Sequence, residues 1–389
     1  MYAKRIRALP PYLFAEIDKK KSEAEKKGVD IIDLGIGDPD LPTPPHIVDA
    51  ICHAAEDPLN HRYPSYEGMF AFRDAVASWY KERKHVDLDA TDEVLTLIGS
   101  KEGIAHSPFA FLDHGDLALV PDPAYPVYNN AVILAEGIPH SVPLTEDMEF
   151  KPDLDRIESA VARKAKIMFL NYPNNPTAAV VNKSFFKEVV DFAYDYDIII
   201  LHDNPYSELT FDGYEAPSFI AVDGAKEVGI EFNSLSKTYN MTGWRIGYAV
   251  GNSEIVNGLR LVKTNVDSGT FQAVQAAGIA ALNGDQDCVK ANVAIYKERR
   301  DILIDALGSA GMDVKKPRAT FYLWTKVPSG FSSIQFSLLL LERAGVVVTP
   351  GIGFGKAGEG FVRFSLCEDA ERIKEACERI NALGLSVMN

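Results

Sequence analysis

The sequence predicts an α/β fold, a mainly parallel sheet wrapped by helices, with a second and smaller α+β lobe. Three observations carry this expectation. Apolar, β-branched runs alternate with segments of helical spacing, polar residues gather just past the ends of those runs, and the pattern changes after about residue 285.

The runs are VLTLIG (94–99), LALV (117–120), IMFLN (167–171) and IIILHD (198–203). Each lacks the polar alternation of a strand with one wet face and suits a strand buried on both faces. Before and between them, MFAFRDAVASWYKERK (69–84) and KSFFKEVVDFAYDYD (183–197) have helical spacing. In the second, Phe186, Val189, Val190 and Ala193 fall on one face. Alternating strand and helix imply a parallel sheet covered by its crossovers. Beyond 285 come a long charged helix, the strand-like ATFYLWTKV, an apolar helix near 333–344 and a last helix from about 369. The expected division is a large domain over 45–285 and a small domain built from 1–44 and 286–389.

A chain of 389 residues has room for two lobes and a cleft. With 47% hydrophobic and 24% charged residues it reads as soluble and globular. A formal charge of −15 repels phosphate backbones and anionic lipid, so neither nucleic acid nor membrane is an expected partner. Cys52, Cys288, Cys367 and Cys377 form no CxxC pair and lie outside metal-ligand spacing of one another and of histidine. Reduced thiols, a cytoplasmic location and no metal are therefore expected. The opening MYAKRIRALPPYLF lacks the apolar core of a signal peptide, and no apolar run reaches the length of about 18 residues that would span a bilayer.

Ligands of open α/β sheets bind beyond the carboxyl ends of strands, where this chain places four motifs. In EFNSLSKTYNMTGWRIGYAV (231–250), Lys237 is flanked by Ser234 and Ser236 and followed by Arg245. Hydroxyls and an arginine can hold a phosphate dianion beside an amine, and burial among cations gives that amine the low pKa an imine-forming lysine needs. In IIILHDNPYSEL, Asp203 stands at a strand end with Tyr206 three residues on. A buried carboxylate there can pair with a protonated pyridine nitrogen, although a strand-end Asp alone is more often a cap or turn residue. NYPNNPTAAV (171–180) offers Asn175 before a proline, which is also ordinary turn chemistry. GSKEG (99–103) can turn backbone N–H groups toward a phosphate at a strand-to-helix junction, and is otherwise a plain helix start.

Together these elements resemble the fold type I, class I/II aminotransferases that use pyridoxal 5′-phosphate, over essentially the whole chain. The family pattern SxSKxxxxxGxRxG matches Ser234, Ser236, Lys237, Gly243, Arg245 and Gly247. The resemblance implies that Lys237 is the Schiff-base lysine and proton shuttle, that Asp203 pairs with the pyridine nitrogen, and that Tyr206 and Asn175 face the phenolate oxygen. It implies a phosphate site of the Ser100 and Lys101 backbone with Ser234, Ser236 and Arg245, joined by Tyr63 from the second subunit of a homodimer. Tyr125 would stack on the ring, Arg363 would clamp the substrate α-carboxylate, and Gly37 would let the chain pass close to substrate. Where the family usually has Asn-Pro-Thr-Gly, this chain carries Ala178, so the turn must accept a Cβ. PGIGFGKAGEG (350–360) reads as a family turn, because it lacks the strand-to-helix context of a nucleotide site.

The segments PPYLFAEIDKKKSEAEKKGVDIIDLGIGDPDLPTP, GSKEGIAH and VKTNVDSGTFQAVQ further resemble the LL-diaminopimelate aminotransferases. That group implies substrate-lining roles for Tyr12 and Lys101, and conversion of tetrahydrodipicolinate and glutamate to LL-diaminopimelate and 2-oxoglutarate in lysine biosynthesis. Characterised members have a glutamate three residues after the intersubunit tyrosine; here Tyr66 holds that place and Glu67 follows. The alternatives are an alanine, aspartate or aromatic aminotransferase, or a pyridoxal-phosphate-dependent C–S β-lyase. A nicotinamide oxidoreductase would need GxGxxG after the first strand with an acid about 20 residues on, and the chain has no such arrangement.

Overall fold

The computed structural model describes residues 1–10 and 15–385. Its strands in chain order are β1 (Ile32–Asp33), β2 (Val94–Leu97), β3 (Leu117–Asp122), β4 (Ile138–Pro143), β5 (Ala165–Asn171) and β6 (Ile199–Asp203). They continue with β7 (Gly229–Ser234), β8 (Gly247–Gly251), β9 (Tyr322–Lys326), β10 (Val346–Val347), β11 (Thr349–Pro350) and β12 (Phe361–Ser365).

Seven of these form the central sheet in the order β2-β8-β7-β6-β5-β3-β4. All neighbours are parallel except β8, which runs antiparallel to β2 and β7. The apolar runs read from the sequence are β2, β3, β5 and β6. Both faces of their strands are buried, because successive side chains alternate sides. Leu119, Met168, Leu170 and Ile200 join one core, while Ala118, Val120, Ile167, Phe169 and Leu201 join the other. β4 gave no apolar signal because its side chains are mostly exposed; only Val142 of IPHSVP is buried.

The helix Lys183–Tyr196 shows how sequence sets packing. Asn182 caps it by accepting from the Phe185 N–H, and Phe185, Phe186, Val189, Val190 and Ala193 are its buried stripe. Fully burying its phenylalanine and valine side chains contributes roughly 1.5–3 kcal/mol each. The stripe fastens the helix to the sheet face beneath β5 and β6.

A third core gathers Leu303, Leu323, Phe336, Leu340, Val362, Phe364 and Ile373. These come from the helices Asp287–Ser309, Ser333–Ala344 and Ala370–Asn381 and from β9 and β12. β9, β11 and β12 form an antiparallel sheet, and β1 pairs in parallel with β10. The N-terminal segment is thereby tied to the C-terminal part. Tyr206, from the loop after β6, packs into this third core. The loop that follows Asp203 thus bridges the central sheet and the C-terminal strands.

Candidate active site

Three adjacent strands, β5, β6 and β7, end in Asn171, Asp203 and Ser234. Side chains at these ends are pinned from below by the ladder and open above, the usual place for a ligand in such a sheet. Asn171 braces the row. Its Nδ2 donates to the Asp203 carbonyl at 2.8 Å, and its Oδ1 accepts from the Asn175 N–H at 2.7 Å.

Asp203 is 5% exposed. Its Oδ2 accepts from the Tyr128 hydroxyl at 2.7 Å, whereas the buried Oδ1 has no protein partner. Burial pushes this carboxyl up to about 6, with the Tyr128 bond and the neighbouring His202 acting in the opposite direction. An orphaned carboxylate oxygen in a buried setting is costly unless a ligand donor meets it.

Lys237 sits in the short helix Leu235–Thr238, whose start is capped by Ser234 accepting from the Ser236 N–H at 3.2 Å. Its Nζ donates to the Gly37 carbonyl at 3.0 Å. Burial depresses its pKa, and Arg245 and Arg363 push the same way while Cys367 and Asp38 oppose them. That is the condition an amine nucleophile requires.

Near Lys237 the elements of an anion cradle converge. The helix Ser100–Phe111 starts after Gly99 with no side-chain cap, leaving first-turn N–H groups for a ligand. A Cβ on Gly99 would overlap the Arg245 guanidinium, and one on Gly247 would lie 2.9 Å from the Ser100 nitrogen, so Ser100, Arg245 and β8 meet at close quarters. The Ser236 hydroxyl oxygen is buried without a partner. Arg245 itself is in the left-handed region and donates to the Thr242 carbonyl at 2.8 Å.

Arg363 on β12 reaches across to the β5 turn. It donates through Nη1 to Asn175 Oδ1 and through Nη2 to the Gly35 carbonyl, both at 2.7 Å. Its guanidinium lies 4.1 Å from the Tyr322 ring centroid and 4.7 Å from that of Phe354. The Tyr206 and Tyr322 hydroxyls are 3.3 Å apart. Tyr125 is half-buried, with the Lys101 ammonium 5.7 Å from its ring centroid. Ala178 occupies the left-handed region at φ 56°, the conformation that a glycine adopts without strain, and its N–H donates to the Asn174 carbonyl.

The chain therefore brings Asp203, Tyr206, Lys237, Asn175, Arg363, Gly37, Ser100, Ser234, Ser236 and Arg245 to one region. Tyr63 stands apart, 88% exposed on the surface. Tyr12 lies outside the described residues. Sequence reasoning missed Asn171, Tyr128 and Tyr322. Tyr128 stands on the helix Val127–Leu134, and nothing in its sequence position marks it as a partner of Asp203. Glu67 is already engaged, at 3.5 Å from Arg73 and 3.9 Å from Arg260. Among the described residues, Glu102, His106 and Asp267 have metal-ligand spacing, and the Lys263 ammonium contacts both carboxylates of that group at 2.9–3.3 Å.

Comparison with known proteins places this geometry. The model for "Aminotransferase class I and II" matches residues 29–380. The LL-diaminopimelate aminotransferase of Moorella thermoacetica is 57% identical over 378 residues, 97% of each chain. That of Aquifex aeolicus is 56% identical over 384 residues, 99% of each. Among solved structures, substrate-bound BacF from Bacillus subtilis superposes with a TM-score of 0.94 at 39% identity, covering 99% of this chain and 98% of that one. Aspartate aminotransferase from Thermotoga maritima gives 0.91 at 30% identity, covering 98% and 99%.

Proposed function

The chain belongs to the class I and II aminotransferase family, and on that premise we propose that it is an LL-diaminopimelate aminotransferase, exchanging the amino group between glutamate and tetrahydrodipicolinate in lysine biosynthesis. The family depends on pyridoxal phosphate, and the site fits that group: Asp203 has an unmet buried oxygen for a pyridinium nitrogen, and the cradle at Ser100, Ser236 and Arg245 suits a dianion. Bound there, pyridoxal phosphate supplies an aldehyde carbon that accepts an amine and a ring that takes up electrons.

The residues divide the work as follows. Lys237 would hold the cofactor, and its Nζ would move the proton at the donor α-carbon, burial keeping that nitrogen a base. Asp203 keeps a proton on the pyridine nitrogen, with Tyr128 fixing the carboxylate. Tyr206 and Asn175 face the phenolic oxygen. The Ser100 and Lys101 backbone, with Ser234, Ser236 and Arg245, would hold the phosphate, and Tyr125 would cover the ring. Arg363 receives the substrate α-carboxylate in a bidentate fork, braced by two aromatic rings and by Asn175. Gly37 leaves space beside the substrate, and Lys101 and Tyr12 take its distal end.

The enzyme works as a homodimer in the cytoplasm. Support comes from the exposed apolar side chains Leu59, Tyr63, Tyr66, Phe70 and Phe271, which a second subunit would cover, and from the exposure of Tyr63, which leaves it free to reach the other subunit's phosphate. The four cysteines are unpaired, as in a reducing compartment, and no described helix is long and apolar enough to cross a membrane.

The observation that carries this reading is Lys237 beside an anion cradle and an orphaned Asp203 oxygen, in a chain more than half identical to named LL-diaminopimelate aminotransferases. A coupled assay with LL-diaminopimelate and 2-oxoglutarate, run beside alanine, aspartate and phenylalanine as donors, tests it. Preference for LL-diaminopimelate is expected; a better rate with another donor would keep the chemistry and remove the substrate assignment.

A further inference from the structure

We propose that Tyr322 is a positioning residue of the transamination site, its hydroxyl backing the proton donor Tyr206 while its ring supports the carboxylate clamp Arg363. The inference deepens the reading above and rests on Tyr206 donating to the cofactor's phenolic oxygen.

Tyr322 lies on β9, and Arg363 is paired with Trp324 two residues along the same strand. Residues two apart share a face, so Tyr322 and Arg363 are diagonal neighbours on one side of the antiparallel pair. The guanidinium accordingly sits 4.1 Å from the Tyr322 ring centroid. The phenol reaches past it to within 3.3 Å of the Tyr206 hydroxyl, the two rings meeting edge-on at 73°.

Each phenol has one proton. When the Tyr206 proton is directed at the cofactor oxygen, its own oxygen is left to accept, and the neighbour able to donate is Tyr322. Burial raises the pKa of both hydroxyls, so both stay protonated and the chain Tyr322 to Tyr206 to cofactor is complete. A donor that is itself accepting is polarised and donates more strongly.

The surroundings keep Tyr322 in place. A Cβ on Gly37 would overlap its hydroxyl and ring edge, so the absence of a side chain at Gly37 makes room for this phenol as well as for substrate. The carbonyl of the same glycine accepts from Lys237. One tyrosine thus touches the segment or side chain behind proton transfer, ring-oxygen stabilisation and carboxylate binding. Were it merely filler in the third core, where it lies edge-on to Phe321 with centroids 4.8 Å apart, phenylalanine would serve equally well.

The test compares Tyr322→Phe, Tyr206→Phe, the double variant and Tyr322→Leu as holoenzymes. The first readout is the pH midpoint of the bound cofactor's absorbance change in the resting enzyme. Weaker donation to the phenolic oxygen lets it hold the adjacent proton more tightly, so Tyr322→Phe should raise the midpoint by roughly half a pH unit, a threefold change. Tyr206→Phe should raise it further, and the double variant should match Tyr206→Phe alone. Donor KM should stay put in Tyr322→Phe, which keeps the ring under Arg363, and rise in Tyr322→Leu. An unmoved midpoint in Tyr322→Phe, or an equal shift with and without Tyr206, overturns the proposal. If Tyr206→Phe itself leaves the midpoint unmoved, the role of Tyr206 fails first and the inference falls with it, an outcome seen in a variant whose Tyr322 is intact.

Discussion

Replacing Asp203 with asparagine preserves the shape at the end of β6 and a partner for Tyr128, but removes the charge that meets the pyridinium. The structure sets the size of the effect: the carboxylate is buried, one oxygen is held at 2.7 Å by Tyr128, and the other waits unpaired. A charge-assisted hydrogen bond contributes about 1.5–3 kcal/mol, and breaking a buried ion pair costs about 3–5 kcal/mol. About 3 kcal/mol taken from the reacting state slows the half-reaction roughly 100-fold. The assay is a single-turnover reaction of cofactor-saturated protein with the amino donor, followed by cofactor absorbance. A rate within about threefold of the native enzyme would refute the reasoning. A stability readout accompanies it. Burial raises the Asp203 carboxyl from 3.8 to about 6, so without cofactor the folded protein binds this proton more tightly than the unfolded chain does. Stability is then greatest below the unfolded value and falls as pH rises from about 4 to about 6, by roughly 3 kcal/mol at about 1.36 kcal/mol per unit. The apoprotein of Asp203→Asn should lack that slope in a denaturant titration.

Three further outcomes follow from single contacts. Arg363→Lys loses the fork between Asn175 and the Gly35 carbonyl, and steady-state kinetics should show donor KM rising about 10- to 100-fold, the value of one or two charged hydrogen bonds. Tyr128→Phe leaves Asp203 with neither oxygen bonded by this neighbour, and the single-turnover rate should fall about tenfold, matching a contribution near 1.4 kcal/mol. Ala178→Gly removes a Cβ from φ 56°, and urea unfolding should report about 1 kcal/mol of added stability with kinetics unchanged.

Much of this site was legible because its chemistry is local in sequence. Ser234, Ser236 and Lys237 lie on one turn, and Asp203 and Tyr206 on one strand end, so spacing grouped them and the family resemblance gave them their roles. The doubly buried strands β3, β5 and β6 announced themselves by unbroken apolar runs, whereas the exposed edge strand β4 could not. What stayed hidden depends on distant register. Tyr322 meets Tyr206 across 116 positions and Arg363 meets Asn175 across 188, contacts fixed by how β9 and β12 lie against the loops after β5 and β6. Tyr128 was hidden for a different reason: an apolar-looking helix position becomes polar chemistry only once Asp203 is placed above it. Ala178 was visible as a departure from the family turn, and its left-handed backbone is how the turn absorbs it.

The most direct test of the account is where the cofactor attaches. Purified protein loaded with pyridoxal phosphate is reduced with borohydride, digested, and its peptides weighed by mass spectrometry. A pyridoxyl mass on Lys237, absent in a folded Lys237→Ala variant that has also lost transamination, is the predicted result. The same mass on Lys101 or another lysine, or full turnover by Lys237→Ala, would contradict the assignment on which the mechanism depends.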